Sequence, residues 1–140
     1  MANRNEQLVI DWVEQIWNQQ NLDRLGEFHP PTFQNEGGDS TLADTHEWHN
    51  RISAVYPDLS YTIEQIFESD GQIAFRWTAT GTHKGALWGF IQPTGKTISW
   101  NGLHMVKVED GKIVDVRAVS NTLAQLQQMG VQLQPATAAE

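Results

Sequence analysis

Alternating apolar and polar residues fill most of the second half of the chain, and no other feature of the sequence constrains the fold as strongly. Successive side chains of a β-strand point to opposite faces, so alternation predicts strands with one buried face. The first of these strands is expected to bury Phe67 on the same face as Tyr61. The pattern predicts strands over residues 59–67, 72–81, 97–108 and 113–120.

The connections between these strands predict an antiparallel meander. The segment "SDG" at residues 69–71 turns the chain, and "EDGK" at residues 109–112 is a hairpin turn. The longer connection "GTHKGALWGFIQPTGK", residues 81–96, combines glycines with large aromatic side chains. We predict that it is a bent hairpin connection at the mouth of a pocket, with "PTGK" as its turn. Trp88 either covers the pocket mouth or packs under the loop or in a dimer contact.

The first half of the chain has helical periodicity instead. Apolar residues recur at helical spacing over residues 5–19, a second short helix begins after Asn21, and a third covers residues 41–56. The segment "HPPTFQNEGGD", residues 29–39, is expected to be a break without regular structure, because it holds two prolines and two glycines. A short helix follows Asn121 near the end of the chain.

Helices followed by strands define the α+β class. We predict three N-terminal helices packed on a curved antiparallel sheet that encloses a pocket. At 140 residues the chain is expected to form a single domain over residues 1–134, followed by a disordered tail at residues 135–140.

Composition excludes several classes of partner and site. The formal net charge of −8 opposes binding to nucleic acid or to an anionic membrane surface. The absence of cysteine excludes disulfides and thiolate metal sites. His46 and His49 are three residues apart and do not form the H-E-x-x-H zinc motif, so no metal site is predicted. No signal peptide or membrane span is visible, and a cytoplasmic location is expected.

Several segments resemble those of a known family in order and spacing. They are "IWNQQNLDRLGEF", "YPDLSYTIEQIFESDGQIAFRWTATGTHKG", "PTGK", "EDGKIVDV" and "NTLAQLQQMG". Over roughly residues 8–130 the chain resembles the SnoaL-like polyketide cyclase family of the nuclear transport factor 2-like superfamily. The resemblance implies a cone-shaped α+β fold, a deep apolar pocket and a homodimer formed through the outer sheet face. It also implies ring closure by an intramolecular aldol condensation, without a metal or an organic cofactor.

Such a reaction needs a base that removes a proton next to a carbonyl group and a donor that stabilises the enolate. The family's base is an Asp before the terminal helix, and this position is Asn121 here. His104 lies on the apolar face of its strand, and imidazole titrates near neutrality, so it is the remaining candidate for proton transfer. Asn121 either orients a carbonyl through its amide or only caps the helix.

The other candidate residues are expected to bind a substrate in the pocket. Asn35 and Arg117 replace a histidine and a tryptophan that are frequent in the family. Arg117 either faces the pocket or pairs with Asp115 on the surface. The predicted substrate-binding residues are Trp12, Asn35, His49, Tyr56, Phe75, Trp77, Trp88, Trp100 and Arg117.

Two functions remain open at this point. The first is a cofactor-independent cyclase or isomerase that acts on a small hydrophobic, polyketide-like carbonyl compound, with His104 and Asn121 as catalytic residues. The second is a non-catalytic protein of the same fold that binds a hydrophobic ligand, because the base-position Asp is absent.

Overall fold

The computed structural model describes residues 3–137, which form helices packed on one face of a six-stranded sheet. The sheet has the strand order β2-β1-β6-β5-β4-β3 and is not closed. This arrangement confirms the predicted α+β class. The α-helices are α1 (Arg4–Trp12), α2 (Leu25–Phe28), α3 (Leu42–Val55) and α4 (Thr122–Gln128). The strands are β1 (Thr32–Asn35), β2 (Gly38–Thr41), β3 (Ser60–Ser69), β4 (Gln72–Thr82), β5 (Thr97–Glu109) and β6 (Lys112–Ser120).

The first helix changes its winding halfway along. The Asn3 side chain caps α1 by accepting a hydrogen bond from the Glu6 backbone, and the helix continues as a π-helical segment at Val13–Asn18. In an α-helix, residues five apart point to different sides. The wider π-helical turn brings Trp17 back towards Trp12, and the two rings meet edge to face with centres 4.9 Å apart. Both indoles therefore face the sheet.

The segment predicted as an irregular break forms two short strands, β1 and β2. They are joined by a tight turn in which Glu36 and Gly37 have φ values of 52° and 83°. The strand β1 then pairs in parallel with β6, with Gln34 opposite Asp115. The four predicted strands pair antiparallel as expected, and the unpredicted strand β1 adds one parallel pairing, so the sheet is mixed. Two strands of four residues are too short and too polar to show alternation, so tertiary pairing decides their structure.

The strand β3 contains an irregularity that reverses the faces of its second half. Its pairing with β4 shifts between Ile63 and Gln65, which inserts one extra residue. A shift by one residue moves every later side chain to the opposite face. Ile66 is consequently half-buried and Phe67 is 65% exposed. The prediction that Phe67 shares the buried face with Tyr61 was wrong for this reason.

The centre of the sheet supplies the core and supports the cavity described below. On β4, alternate residues are buried as the alternation predicts: Ile73, Phe75, Trp77 and Ala79. Asp70-Gly71 and Asp110-Gly111 form the two predicted turns, all four residues having positive φ.

After α4, residues 131–137 have no regular secondary structure, and residues 138–140 of the predicted tail lie outside the described residues. The single-domain assignment over residues 1–134 stays a prediction.

Candidate functional site

A cavity of about 470 Å³ lies between the helices and the inner face of the sheet. Its wall is largely aromatic, and every strand of the sheet contributes to it. Six of the residues predicted to be functional line it, namely Trp12, Asn35, His49, Trp77, Trp100 and His104. Three of its wall residues are histidines, of which His29 and His49 are buried and His104 is half-buried, and this makes the cavity the candidate site.

A second depression, of about 460 Å³, lies between α2 and α3. Its ionisable side chains, Asp23, His46 and Glu47, are exposed. Exposed groups keep their hydration and gain little reactivity from the protein. We therefore take the aromatic cavity as the site.

His104 is held at the cavity wall by two aromatic neighbours on β4. Its ring stacks on Phe75, with ring centres 5.2 Å apart, and its Nδ1 accepts a hydrogen bond of 2.8 Å from the Trp77 indole N–H. An indole N–H can only donate, so Nδ1 must carry the lone pair. In the neutral ring the proton therefore lies on Nε2, which the hydrogen bond from Trp77 does not occupy. His104 presents an N–H group to the cavity.

The electrostatics of the cavity keep His104 neutral. Burial lowers the pKa of His104 from 6.5 to about 4, because the cationic ring loses its hydration. No carboxylate forms an ion pair with it within the described part of the chain. At neutral pH His104 is thus a hydrogen-bond donor through Nε2, and it lacks the free lone pair that a base at that nitrogen requires.

His29 is a second cavity histidine, and it has the opposite tautomer. It follows α2 and stacks on Phe33, with ring centres 4.0 Å apart. Its Nδ1 lies 3.0 Å from the backbone oxygen of Ile113, which can only accept, so Nδ1 carries the proton. Burial lowers the pKa of His29 to about 4. The lone pair of His29 is therefore on Nε2, a buried atom without a partner within residues 3–137.

His29 was not among the residues predicted to be functional. No periodic pattern marks it, since it stands beside two prolines in a segment expected to be irregular. Gln125 was also missed, although it lies on the same face of α4 as the buried Met129, four residues later. A polar residue at a buried helical position was the signal that could have identified it.

His49 reaches the cavity from α3. It is 4% exposed, and the ring of Trp48 meets it edge to face with centres 4.9 Å apart. Burial, together with the neighbouring His29 and His46, lowers the pKa of His49 to about 4. The cavity therefore contains three histidines that are neutral at pH 7, one of which, His104, also faces Trp12 and Trp17.

Tyr56 and Phe75 lie behind the wall of the cavity. Tyr56 is fully buried and donates a hydrogen bond of 2.8 Å to Gln125 Oε1, which leaves the Gln125 amide N–H groups at the cavity. Burial raises the pKa of Tyr56 to about 12, so its hydroxyl group stays protonated. Phe75 supports His104 by stacking. Both residues position cavity side chains and do not line the cavity themselves.

Three other predicted residues lie away from the cavity wall. Trp88 is 59% exposed in the connection between β4 and β5. Arg117 is exposed and pairs with Asp115 at 3.2 Å. Asn121 is exposed, and its side-chain oxygen accepts a hydrogen bond from the Ala124 backbone, so it caps α4.

His83, in the connection between β4 and β5, has a structural role. His83 is fully buried, and its Nδ1 accepts a hydrogen bond of 3.2 Å from the Thr94 backbone. Backbone bonds join His83 to Lys96 and Gly95 across the same loop. This histidine therefore holds the two ends of the connection together.

The fold and the cavity together define an α+β protein whose helices close an aromatic cavity over a mixed sheet. The chain belongs to the SnoaL-like polyketide cyclase family, since the family model matches residues 7–129. This result confirms the resemblance inferred from the sequence. No curated protein sequence matches the chain.

Solved structures share this fold over nearly the whole chain. AclR from Streptomyces galilaeus, a proposed hydroxylase, is 26% identical with a TM-score of 0.79, and the match covers 93% of this chain and 87% of AclR. IdmH from Streptomyces antibioticus, a proposed polyketide cyclase, is 24% identical with a TM-score of 0.80, over 92% and 100% of the two chains. A SnoaL-like polyketide cyclase from Agrobacterium tumefaciens is 22% identical with a TM-score of 0.79, over 93% and 100%.

Two further properties concern the described residues 3–137 only. None of their helices is long and apolar enough to cross a membrane. No three of their His, Asp or Glu side chains are grouped as a metal ion would require.

Proposed function

We propose that the protein is a cofactor-independent enzyme of the cyclase or isomerase type, which acts on a small hydrophobic carbonyl compound in the aromatic cavity. The observation that carries this proposal is the Trp77–His104 hydrogen bond, which directs a neutral imidazole N–H into an apolar cavity. The family supports the same class of chemistry.

The geometry suits the formation of an enolate. The substrate carbonyl oxygen accepts a hydrogen bond from His104 Nε2–H, and this bond strengthens as negative charge develops on the oxygen. A donor fixed before the reaction needs no reorganisation, and the apolar wall strengthens its effect. The proton next to the carbonyl passes to a neutral imidazole, and His49 is the candidate, since it lines the same cavity and its pKa is lowered to about 4.

Exchange of hydrogen for deuterium next to a carbonyl group tests this proposal without knowledge of the natural substrate. Acetylnaphthalene is a suitable apolar ketone, and its methyl protons can be followed by NMR in heavy water. The protein is expected to accelerate the exchange, and His104→Phe is expected to slow it about 100-fold, because the enolate loses its donor. Phenylalanine keeps the stack on Phe75.

The exposed Trp88 provides the control, since Trp88→Phe changes an indole outside the cavity wall and is expected to leave the exchange rate unchanged. Calorimetric titration of both variants shows whether they still bind the ketone. Undiminished exchange by His104→Phe would remove His104 from the mechanism.

A specific observation favours the alternative, a non-catalytic binding protein. The residue at the family's base position, Asn121, caps α4 and is exposed. If the wild-type protein binds acetylnaphthalene and does not accelerate exchange, this alternative is the correct one.

We also propose that the protein forms a homodimer through the outer face of the sheet. Four large apolar side chains of β3, β5 and β6 are more than half exposed there: Phe67, Leu103, Met105 and Val119. An exposed apolar group of this kind marks a contact surface. Leu103→Glu is expected to convert a dimer into a monomer, because it buries an unpaired charge in the contact. Analytical ultracentrifugation measures this, and an unchanged mass would exclude this face.

The cytoplasmic location stays a prediction.

A further inference from the structure

Two buried polar atoms of the cavity wall have no hydrogen-bond partner within residues 3–137. They are Nε1 of Trp12 and Nε2 of His29. Both side chains line the cavity, and their exposed fractions are 4% and 2%. Native proteins rarely bury polar atoms without partners, because such an atom loses its bonds to water and gains none in return. A pair of them in one wall therefore needs a partner from outside the chain.

The chemistry of the two atoms is complementary. Trp12 Nε1 carries a hydrogen and can only donate. His29 Nε2 can only accept, because the proton of this neutral ring lies on Nδ1 and points to the Ile113 backbone oxygen. We call Trp12 and His29 the inner pair. It combines one donor with one acceptor.

The two rings of the inner pair are neighbours. Their centres are 5.5 Å apart and their planes are nearly perpendicular, at 84°. The ring of His104 is another neighbour of Trp12, with ring centres 6.2 Å apart. Since Trp12, His29 and His104 all line the cavity, one ligand can contact the inner pair and His104 together.

We propose that the inner pair is a hydroxyl-binding subsite, in which one ligand hydroxyl group donates to His29 Nε2 and accepts from Trp12 Nε1. This inference rests on the proposed use of the cavity for a small carbonyl compound, and it adds the substrate class. The ligand carries a hydroxyl group at the inner pair and a carbonyl group at His104.

The expected preference for a ligand hydroxyl group follows from the donors and acceptors of the inner pair. A hydroxyl group both donates and accepts, so it satisfies both atoms of the inner pair. A carbonyl or ether oxygen satisfies Trp12 alone, and a hydrocarbon satisfies neither. A site with paired polar atoms discriminates strongly against a ligand that lacks the matching group, since its own atoms are then left without partners.

Three ligands test this subsite by calorimetry. They are unsubstituted acetylnaphthalene and its methoxy and hydroxy derivatives. In both derivatives the substituent is at the ring carbon farthest from the acetyl group. The wild-type protein is expected to bind the hydroxyl compound roughly 10-fold more tightly than the other two. Trp12→Phe and His29→Phe keep an aromatic ring at each position. Each is expected to reduce this advantage to roughly 3-fold or less.

The controls separate this inference from the proposed function. His104→Phe is expected to weaken all three ligands alike and to preserve the hydroxyl advantage, because His104 binds the other end of the ligand. Trp88→Phe is expected to change nothing. The readout is a ratio of dissociation constants, so a protein without catalytic activity would still show it.

Equal affinity of the wild-type protein for the three ligands would overturn the inference, and would indicate that the inner pair holds a water molecule that ligands do not displace. A hydroxyl advantage that survives both Trp12→Phe and His29→Phe would also overturn it, because the hydroxyl group would then bind elsewhere. Loss of the advantage in either variant supports it, so one variant that folds is sufficient.

Discussion

Replacement of Gly102 by alanine is expected to destabilise the protein by about 3 kcal/mol and to release His104 from Trp77. A Cβ atom at Gly102 would overlap Cζ2 of the Trp77 ring, far inside any van der Waals contact. The indole is rigid and 3% exposed, so it cannot move without displacing core side chains. The Trp77–His104 hydrogen bond would break when the ring shifts.

Two measurements check this prediction. Urea denaturation gives the free energy of unfolding, and nitrogen-15 NMR of histidine distinguishes the two neutral tautomers. In the wild-type protein the hydrogen on His104 is expected at Nε2, and in Gly102→Ala this preference is expected to weaken. Trp77→Phe is the matched variant, because it removes the indole N–H without a clash.

Gly38→Ala is the control for the backbone effect of the substitution. Gly38 also lies in a strand, and the nearest atom to its added Cβ would be the Asn35 backbone oxygen at 3.9 Å, an ordinary contact. Gly38→Ala is therefore expected to lower the free energy of unfolding only slightly. If Gly102→Ala were as stable as Gly38→Ala, with an unchanged tautomer, then Gly102 would not maintain the position of Trp77.

The free energy of unfolding is expected to be much lower in mild acid than at neutral pH. Burial lowers the pKa of His29, His49 and His104 from 6.5 to about 4. Above pH 6.5 these rings are neutral in both the folded and the unfolded chain, so they leave stability independent of pH. Between pH 6.5 and 4 the unfolded chain binds protons that the folded protein excludes, and the free energy of unfolding falls. By pH 5 the loss is about 2 kcal/mol for each histidine.

Urea denaturation between pH 7.5 and pH 5 measures this loss, above the range in which carboxylates titrate. His49→Phe removes one of the three titrating groups and is expected to make the profile less steep by about a third. A free energy of unfolding that stays constant between pH 7 and pH 5 would show that the three histidines are hydrated in the folded protein.

The sequence predicted the elements whose side chains repeat with a clear period. The strands β4, β5 and β6 have long alternating runs, and α3 begins with a true capping box, in which Thr41 and Asp44 exchange hydrogen bonds. The strands β1 and β2 were missed, because four-residue strands beside prolines owe their structure to pairing with β6. The extra residue in β3 was also invisible, since β-bulges leave no regular sequence signal.

The candidate site was predictable as a set of aromatic and histidine residues, and its chemistry was not. His104 could be selected because alternation placed it on the apolar face. Its role as a donor depends on the Trp77 indole, which the register of β4 against β5 brings to it. Asn121 could be compared with the family's base, whereas its direction away from the cavity follows from the start of α4.

The π-helical turn that brings Trp17 beside Trp12 has an optical consequence. Trp12 and Trp17 lie 4.9 Å apart at 64°, and Trp17 and Trp77 lie 6.4 Å apart at 90°. Chromophores this close share their excited states, and a chiral arrangement of them gives paired positive and negative bands in circular dichroism. Since all three indoles line the cavity, a molecule that enters it would disturb these bands directly. The protein therefore carries its own spectroscopic probe of occupancy, with no added label.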